Sequence, residues 1–188
     1  MKQRAFTLIE MLVVVAIVLI LFGALITATK HLKAESQRRL TASAIAVVET
    51  ALEQYYENTS PKQYPPQIVA GKTDFDAELS KTTSINPPTI TDPNIWNSGA
   101  AYYFLSRVPQ SKAILQSLSN RMISNRDLNG VAILITVPPA AAGIDFVRLV
   151  DAWGMSLNYR YRAGDSFPVI TSAGPDRVFG TGDDVVSQ

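Results

Sequence analysis

Two sets of carboxylates stand where ordinary surface chemistry does not put them. In "RAFTLIEMLVVVAIVLIL", Arg4 to Leu21, Glu10 is the one charge that follows Arg4 in an otherwise apolar run. An ionised carboxylate in such company needs either backbone amides or an opposite charge to hold it. Thr7 and Glu10 have the spacing of a capping box, which satisfies the amides of a helix start while the helix dipole favours the negative charge. Alternatively, a positive group from another chain meets Glu10 inside an apolar bundle. The second set lies in the C-terminal "TSAGPDRVFGTGDDVVSQ", where Asp176, Asp183 and Asp184 alternate with Gly174, Gly180 and Gly182. Carboxylates joined by sharply bent backbone are what oxygen ligation of Ca²⁺ requires. The same composition also makes solvated turns. The spacing is not that of an EF-hand, since Val178 and Gly180 fall where that loop carries ligands after Asp176.

The remaining residues exclude more than they offer. There is no cysteine, hence no disulfide, thiolate metal site or Cys nucleophile. The single histidine, His31, sits beside Lys30 and Lys33 just past the apolar run, a place for a solvated cluster at the level of lipid headgroups rather than for a catalytic imidazole. With one juxtamembrane histidine and no glycine-rich phosphate loop, the chain is expected not to be an enzyme. Asp145, Asp151 and Asp165 read as turn residues. Lys and Arg number 17 against 16 Asp and Glu, and no basic stripe marks nucleic acid as a main partner.

The elements that hold the first carboxylate follow from periodicity. Met11 to Thr29 is uncharged, close to the ~20 residues that a helix needs to cross a hydrocarbon core. The run is longer than a signal-peptide core and ends without a small-x-small cleavage site, so it is expected to remain as an anchor. Beyond it Ala44, Ile45, Val48, Leu52, Tyr55 and Tyr56 recur at helical spacing with Glu49, Glu53 and Glu57 on the other face. A single helix from Phe6 to Glu57 would be about 75 Å long. Charge does not orient the anchor, because Lys2 and Arg4 on one side are matched by Lys30, Lys33, Arg38 and Arg39 on the other.

The segment "RAFTLIEMLVVVAIVLIL" resembles the N-terminus of the type IV pilin-like family, the pilins and the type II secretion pseudopilins. The resemblance implies a leader, residues 1–5, that prepilin peptidase removes between Ala5 and Phe6, and a methylated new amine on Phe6. It makes Glu10 the fifth residue of the mature chain and its partner the Phe6 amine of a neighbouring subunit. Ala5 replaces the usual Gly before the cut, Leu19 a common Gly and Thr27 a common helix-kinking Pro. The implied organisation is a membrane-embedded helix half, 6–29, an amphipathic half, 30–57, and a pilin-like head, 58–188, ending in an acidic loop, 172–188.

Within the head, residues 58–97 hold six of the 11 prolines and read as a long irregular connection. Residues 98–120 read as two short helices broken near Pro109. Strands are expected at 131–137 and 146–150, and an antiparallel hairpin from "LNYRYR" and "FPVITS". The fold class is therefore α+β, a long N-terminal helix on a small antiparallel sheet. "VDAWGMSLNYRY" followed by "SAGPDRVFGTGDDV" is similar to the C-terminal part of the major pseudopilin, where a turn and hairpin precede a Ca²⁺ loop. This implies structural calcium at Asp176, Asp183 and Asp184, with carbonyls near Ser172 and Gly180 as supplements. It also implies a subunit of a periplasmic pseudopilus anchored in the bacterial inner membrane, with other pseudopilins, the assembly platform and lipid as partners besides its own copies. A surface type IV pilus is the alternative within the family; a membrane-anchored enzyme is the reading from another class.

Overall fold

The computed structural model describes residues 8–66, 84–86, 92–136, 144–162 and 164–187. The chain divides into two compact units, Met1–Gln37 and Arg38–Gln188, and the helix α1, Leu8–Asn58, contributes to each. In the first unit its large apolar side chains are exposed, from Leu8 (84%) to Phe22 (59%). Among the described residues no helix is long and apolar enough to cross a membrane. Of the expected membrane half, 6–29, residues 6 and 7 and the side chains of 24–28 lie outside the description.

In the second unit the heptad-like pattern of α1 does what its spacing predicts. Ala44, Ile45, Val48, Ala51, Leu52 and Tyr55 are buried, Tyr56 is half-buried, and Glu53 and Glu57 face out. Their stripe packs into one core with Leu149, Tyr159, Ile170 and Val185 from strands, with Leu157 just before one of them, and with Ala101, Leu105 and Leu115 from two shorter helices. Those helices are α2, Pro93–Arg107, and α3, Pro109–Leu115. The expected break at Pro109 is present: Val108 is extended and Pro109 opens α3. The start is earlier than the expected 98, because Asp92 caps α2 through the amide of Asn94 at 2.8 Å and Pro93 supplies the preset φ of a first turn.

Among the described residues the head has eight short strands: β1, Ser84–Asn86; β2, Ile123–Ser124; β3, Leu134–Thr136; β4, Ile144–Asp145; β5, Arg148–Leu149; β6, Asn158–Arg160; β7, Val169–Ser172; and β8, Val185–Val186. All pairings are antiparallel, in sheets ordered β1-β3-β4, β2-β5 and β6-β7-β8. The predicted hairpin is β6-β7, Tyr159 opposite Ile170. Its alternation is as read: Leu157 and Tyr159 are buried, while Arg160 and Arg162 are exposed. β1 and the first turns of α2 fall in the stretch expected to be irregular, and Asp145 lies in a strand, paired with Leu134, rather than in a turn. A proline-rich sequence hides these elements because its breakers mark where segments end, not what lies between them.

Two buried polar side chains tie the sheet to its surroundings. Tyr159 donates its hydroxyl to the Pro65 carbonyl at 2.6 Å, and burial pushes that phenol far above its ordinary range, so it remains a donor at any ordinary pH. Arg148, 2% exposed, donates to the Arg126 carbonyl at 2.7 Å and to Ser156 Oγ at 2.5 Å; burial lowers its pKa, with Asp92, Asp127 and Asp151 opposing that shift.

Gly99 is the tightest packing point of α2. A methyl group there would run into the ring of Phe146, which shares a second small core with Ile95, Ala100 and Ile133. Gly99→Ala is expected to destabilise the head by about 1–3 kcal/mol, the cost of overpacking. Denaturant unfolding followed by tryptophan fluorescence checks this, since Trp96 lies 5.4 Å from Phe146, ring to ring. Adding Phe146→Leu should recover part of the loss; full stability of Gly99→Ala alone contradicts the packing argument.

Candidate functional site

Glu10 lies in the first turn of α1 and is exposed. Its helix neighbours Ile9 (70% exposed) and Met11 (58%) are apolar, so the carboxylate interrupts a greasy surface. Thr7, Ala5 and Phe6 lie outside the described residues, which leaves the capping box and the cleavage junction as sequence expectations. The side chain of His31 likewise lies outside the description.

The C-terminal loop hangs from a turn that is itself bonded to the helix. Asp151, 1% exposed, accepts the amides of Trp153 and Met155 through Oδ1, each at 2.9 Å, closing the Asp-Ala-Trp-Gly turn. Its Oδ2 accepts the hydroxyl of Ser172 at 2.7 Å, and Ser172 Oγ accepts the amide of Gly174 at 3.1 Å. The amide of Ala152 donates to Thr41 Oγ1 on α1 at 3.1 Å. One polar path thus runs from the buried face of α1 through the turn to the first residue of the loop. Sequence reasoning placed Asp151 in a turn and named the carbonyl near Ser172, but missed Thr41 and the hydroxyl of Ser172 as hydrogen-bond partners.

Beyond Gly174 the backbone folds back on itself. Gly174 has φ +66°, and a Cβ there would strike the carbonyl and carboxylate of Asp183, so the two ends of the loop touch at this glycine. Arg177 takes a left-handed φ of 62° and donates to the carbonyl of Trp153 at 3.2 Å. The three aspartates serve the loop differently. Asp176 Oδ1 accepts the amide of Val178 at 2.8 Å, within its own turn. Asp183 reaches back to the amide of Asp176 at 3.2 Å, and Asp184 takes the amide of Gly180 at 2.8 Å. Thr181 Oγ1 lies 2.5 Å from Asp183 Oδ1 and 3.5 Å from Asp184 Oδ1 and so joins those two.

These residues meet part of what calcium requires. The loop supplies ionised oxygens and sharp backbone turns, yet among the described residues no three carboxylate or imidazole side chains gather closely enough to hold a metal ion. Amides and Thr181 occupy oxygens that an ion would need. Thr181 links Asp183 to Asp184, while the carboxylate of Asp176 serves its own turn and also meets that of Asp183.

Residues 1–26 match the family model of the prokaryotic N-terminal methylation motif, which spans the basic leader, Phe6 and Glu10. The match supports a type IV pilin-like protein, a structural subunit with a membrane-associated N-terminus that prepilin peptidase processes and that assembles into a homopolymeric filament. No curated protein and no solved structure gives a significant match.

The hydroxyl of Thr181 is the largest influence on the Asp183 carboxyl, which is held below the usual carboxylate range; desolvation comes next and opposes it, and the backbone amides of Asp176 and Asp183 and the side chain of Asp176 add to the lowering. A depressed folded pKa gives loop closure that is complete above the unfolded value and is lost as pH falls through the folded one. Asp183 is therefore expected to titrate below the ordinary aspartate range, and Thr181→Val to move it upward. A carboxyl-carbon NMR titration reads both; an unmoved Asp183 in the valine variant refutes the assignment.

Proposed function

We propose that the chain is a structural subunit of a periplasmic pseudopilus of the type II secretion class. It is held in the bacterial inner membrane by residues 6–29 with its head outside, and is then drawn into a filament beside other pseudopilins on the inner-membrane assembly platform. The observation that carries this reading is the methylation motif over residues 1–26, joined to a helix start at which Glu10 is the one acid among exposed apolar side chains. Prepilin peptidase cuts between Ala5 and Phe6, and the amine that this frees on one subunit meets Glu10 of the next. In a bundle without water that pairing removes the cost of an isolated carboxylate. Pseudopilus is preferred to surface pilus because the C-terminal region is closed by Asp151, Ser172 and the acidic loop in a chain that has no cysteine pair to staple it.

The mature chain is expected to lack Met1–Ala5 when its intact mass and N-terminus are measured. Glu10→Gln and Glu10→Ala should leave it in the membrane but abolish filaments seen by electron microscopy. An uncut leader, or normal filaments from either variant, defeats the proposal.

Calcium in the acidic loop belongs to the same proposal. Asp183 and Asp184, with Asp176 and carbonyls near Ser172 and Gly180, are the residues that would hold it. The ion would supply positive charge to a loop that carries three carboxylates, and its binding energy would add to folding stability. At free Ca²⁺ of about a hundred times the dissociation constant the gain is ~2.7 kcal/mol. Chelator should then lower the melting temperature by about 5–10 °C, and Asp176→Ala or Asp184→Ala should erase the difference. Identical melting with and without chelator removes calcium from the account.

A further inference from the structure

The face of α1 that the head leaves open is ordered by charge. Arg39, Ala46, Thr50, Glu53 and Glu57 are all exposed, and on a regular helix they fall within a stripe ~60° wide. Arginine stands at one end of this stripe, small residues in the middle and carboxylates at the other. Near the acidic end the surface sinks into an open groove of about 310 Å³, lined by Ala46, Glu49, Thr50, Glu53 and Phe167. Phe167 belongs to a group of half-buried rings, its centroid 5.3 Å from that of Tyr64, which stacks on Tyr56 at 4.7 Å. The chain already sets one of its own cations on this group, with Lys62 Nζ 5.7 Å from the Tyr56 centroid. Two carboxylates four residues apart on a helix repel each other, and an aromatic face beside them attracts a cation. A guanidinium answers both, because it forks onto carboxylate and lies flat on a ring.

We propose that this groove receives Arg38 and Arg39 of a second copy of the chain in a parallel, axially staggered contact. The proposal rests on the filament reading, in which copies share one direction. Arg39 and Glu53 are separated by a helical rise of ~21 Å, which sets the stagger. Ala42 and Ala46, both exposed, let the two helices approach between the charged ends. The contact is heterologous: each copy's groove takes the arginines of one neighbour and its own arginines enter the groove of another, so the series does not close on itself.

The absence of native cysteine makes the test direct. The full-length chain is co-expressed in membranes as two single-cysteine variants, Arg39→Cys and Glu53→Cys, and oxidised; a mixed disulfide dimer is expected. A prominent dimer of Ala46→Cys with itself marks an antiparallel pair and overturns the proposal. Glu49→Lys with Glu53→Lys should lower filament yield about tenfold or more, and Arg38→Glu with Arg39→Glu added to the same chain should restore it. Unchanged yield in the lysine variant, or no mixed dimer, overturns the groove contact while the filament reading stands. Wild-type chains that form no filament overturn both.

Discussion

The apolar surface at the start of α1 is a constraint that the chain's own described contacts do not relieve. The large apolar side chains between Leu8 and Phe22 stand exposed, and full burial of such a side chain is worth up to roughly 1.5–3 kcal/mol. A soluble monomer does not keep a contiguous patch of that kind open, so a covering from outside the chain is called for. Glu10 narrows what that covering is. Lipid tails satisfy Ile9 and Met11 but offer nothing to a carboxylate between them, whereas a bundle of like helices offers both apolar packing and a terminal amine. Under the proposed function the membrane is the holding state and the bundle the final one, and the single acid is what distinguishes them.

The head is organised around accepting a helix whose other half has commitments of its own. Apolar packing by Ile45, Val48 and Leu52 fixes which face of α1 is buried, but greasy contacts alone tolerate sliding along the axis. Two hydrogen bonds supply the missing register: Ser111 Oγ donates to the carbonyl of Ala51 at 2.9 Å, and Thr41 Oγ1 accepts the amide of Ala152 at 3.1 Å. The first is buried and the second part-buried, and a lost partner in such surroundings is costly. A shift of one helical turn would break both bonds. The head therefore sits at one defined position on the second half of α1, as any assembly built from repeated copies needs.

What the sequence disclosed follows from how local each determinant is. The amphipathic stripe of α1, the break at Pro109 and the β6-β7 hairpin were legible because each is written in the spacing of adjacent residues or in a single breaker. β1, β8 and the start of α2 were not, since two- and three-residue strands carry no period and the Asp92 cap was masked by surrounding prolines. At the candidate sites the same divide holds. Glu10 was conspicuous as one charge in an apolar run, and the three aspartates by their density. That Asp176 caps its own turn while Thr181 joins Asp183 to Asp184 depends on backbone geometry that no spacing rule specifies. The Thr41–Ala152 bond spans more than a hundred residues of chain and involves a threonine that looks like any other helix position.

The acidic loop is where local and long-range determinants meet. β8 is only two residues long and pairs with Thr171 and Ser172, too short to hold the C-terminus by its ladder alone. Its closure is shared with side chains on either side of it in the sequence: Ser187 Oγ accepts the amide of Ile170, and Ser172 Oγ both donates to Asp151 and accepts from Gly174. Because one hydroxyl serves the turn and the loop at once, opening the loop removes a bond from the group that orients Asp151, and disordering Asp151 removes the anchor of the loop. The same turn supplies the Ala152 amide to Thr41, so the strength of loop closure bears on the register of α1. Three like charges within one short loop oppose that closure, and backbone amides are a weak answer to them compared with a full positive charge. Under the proposed function, a cation bound in the loop would act on the helix along the polar path through Ser172 and Asp151.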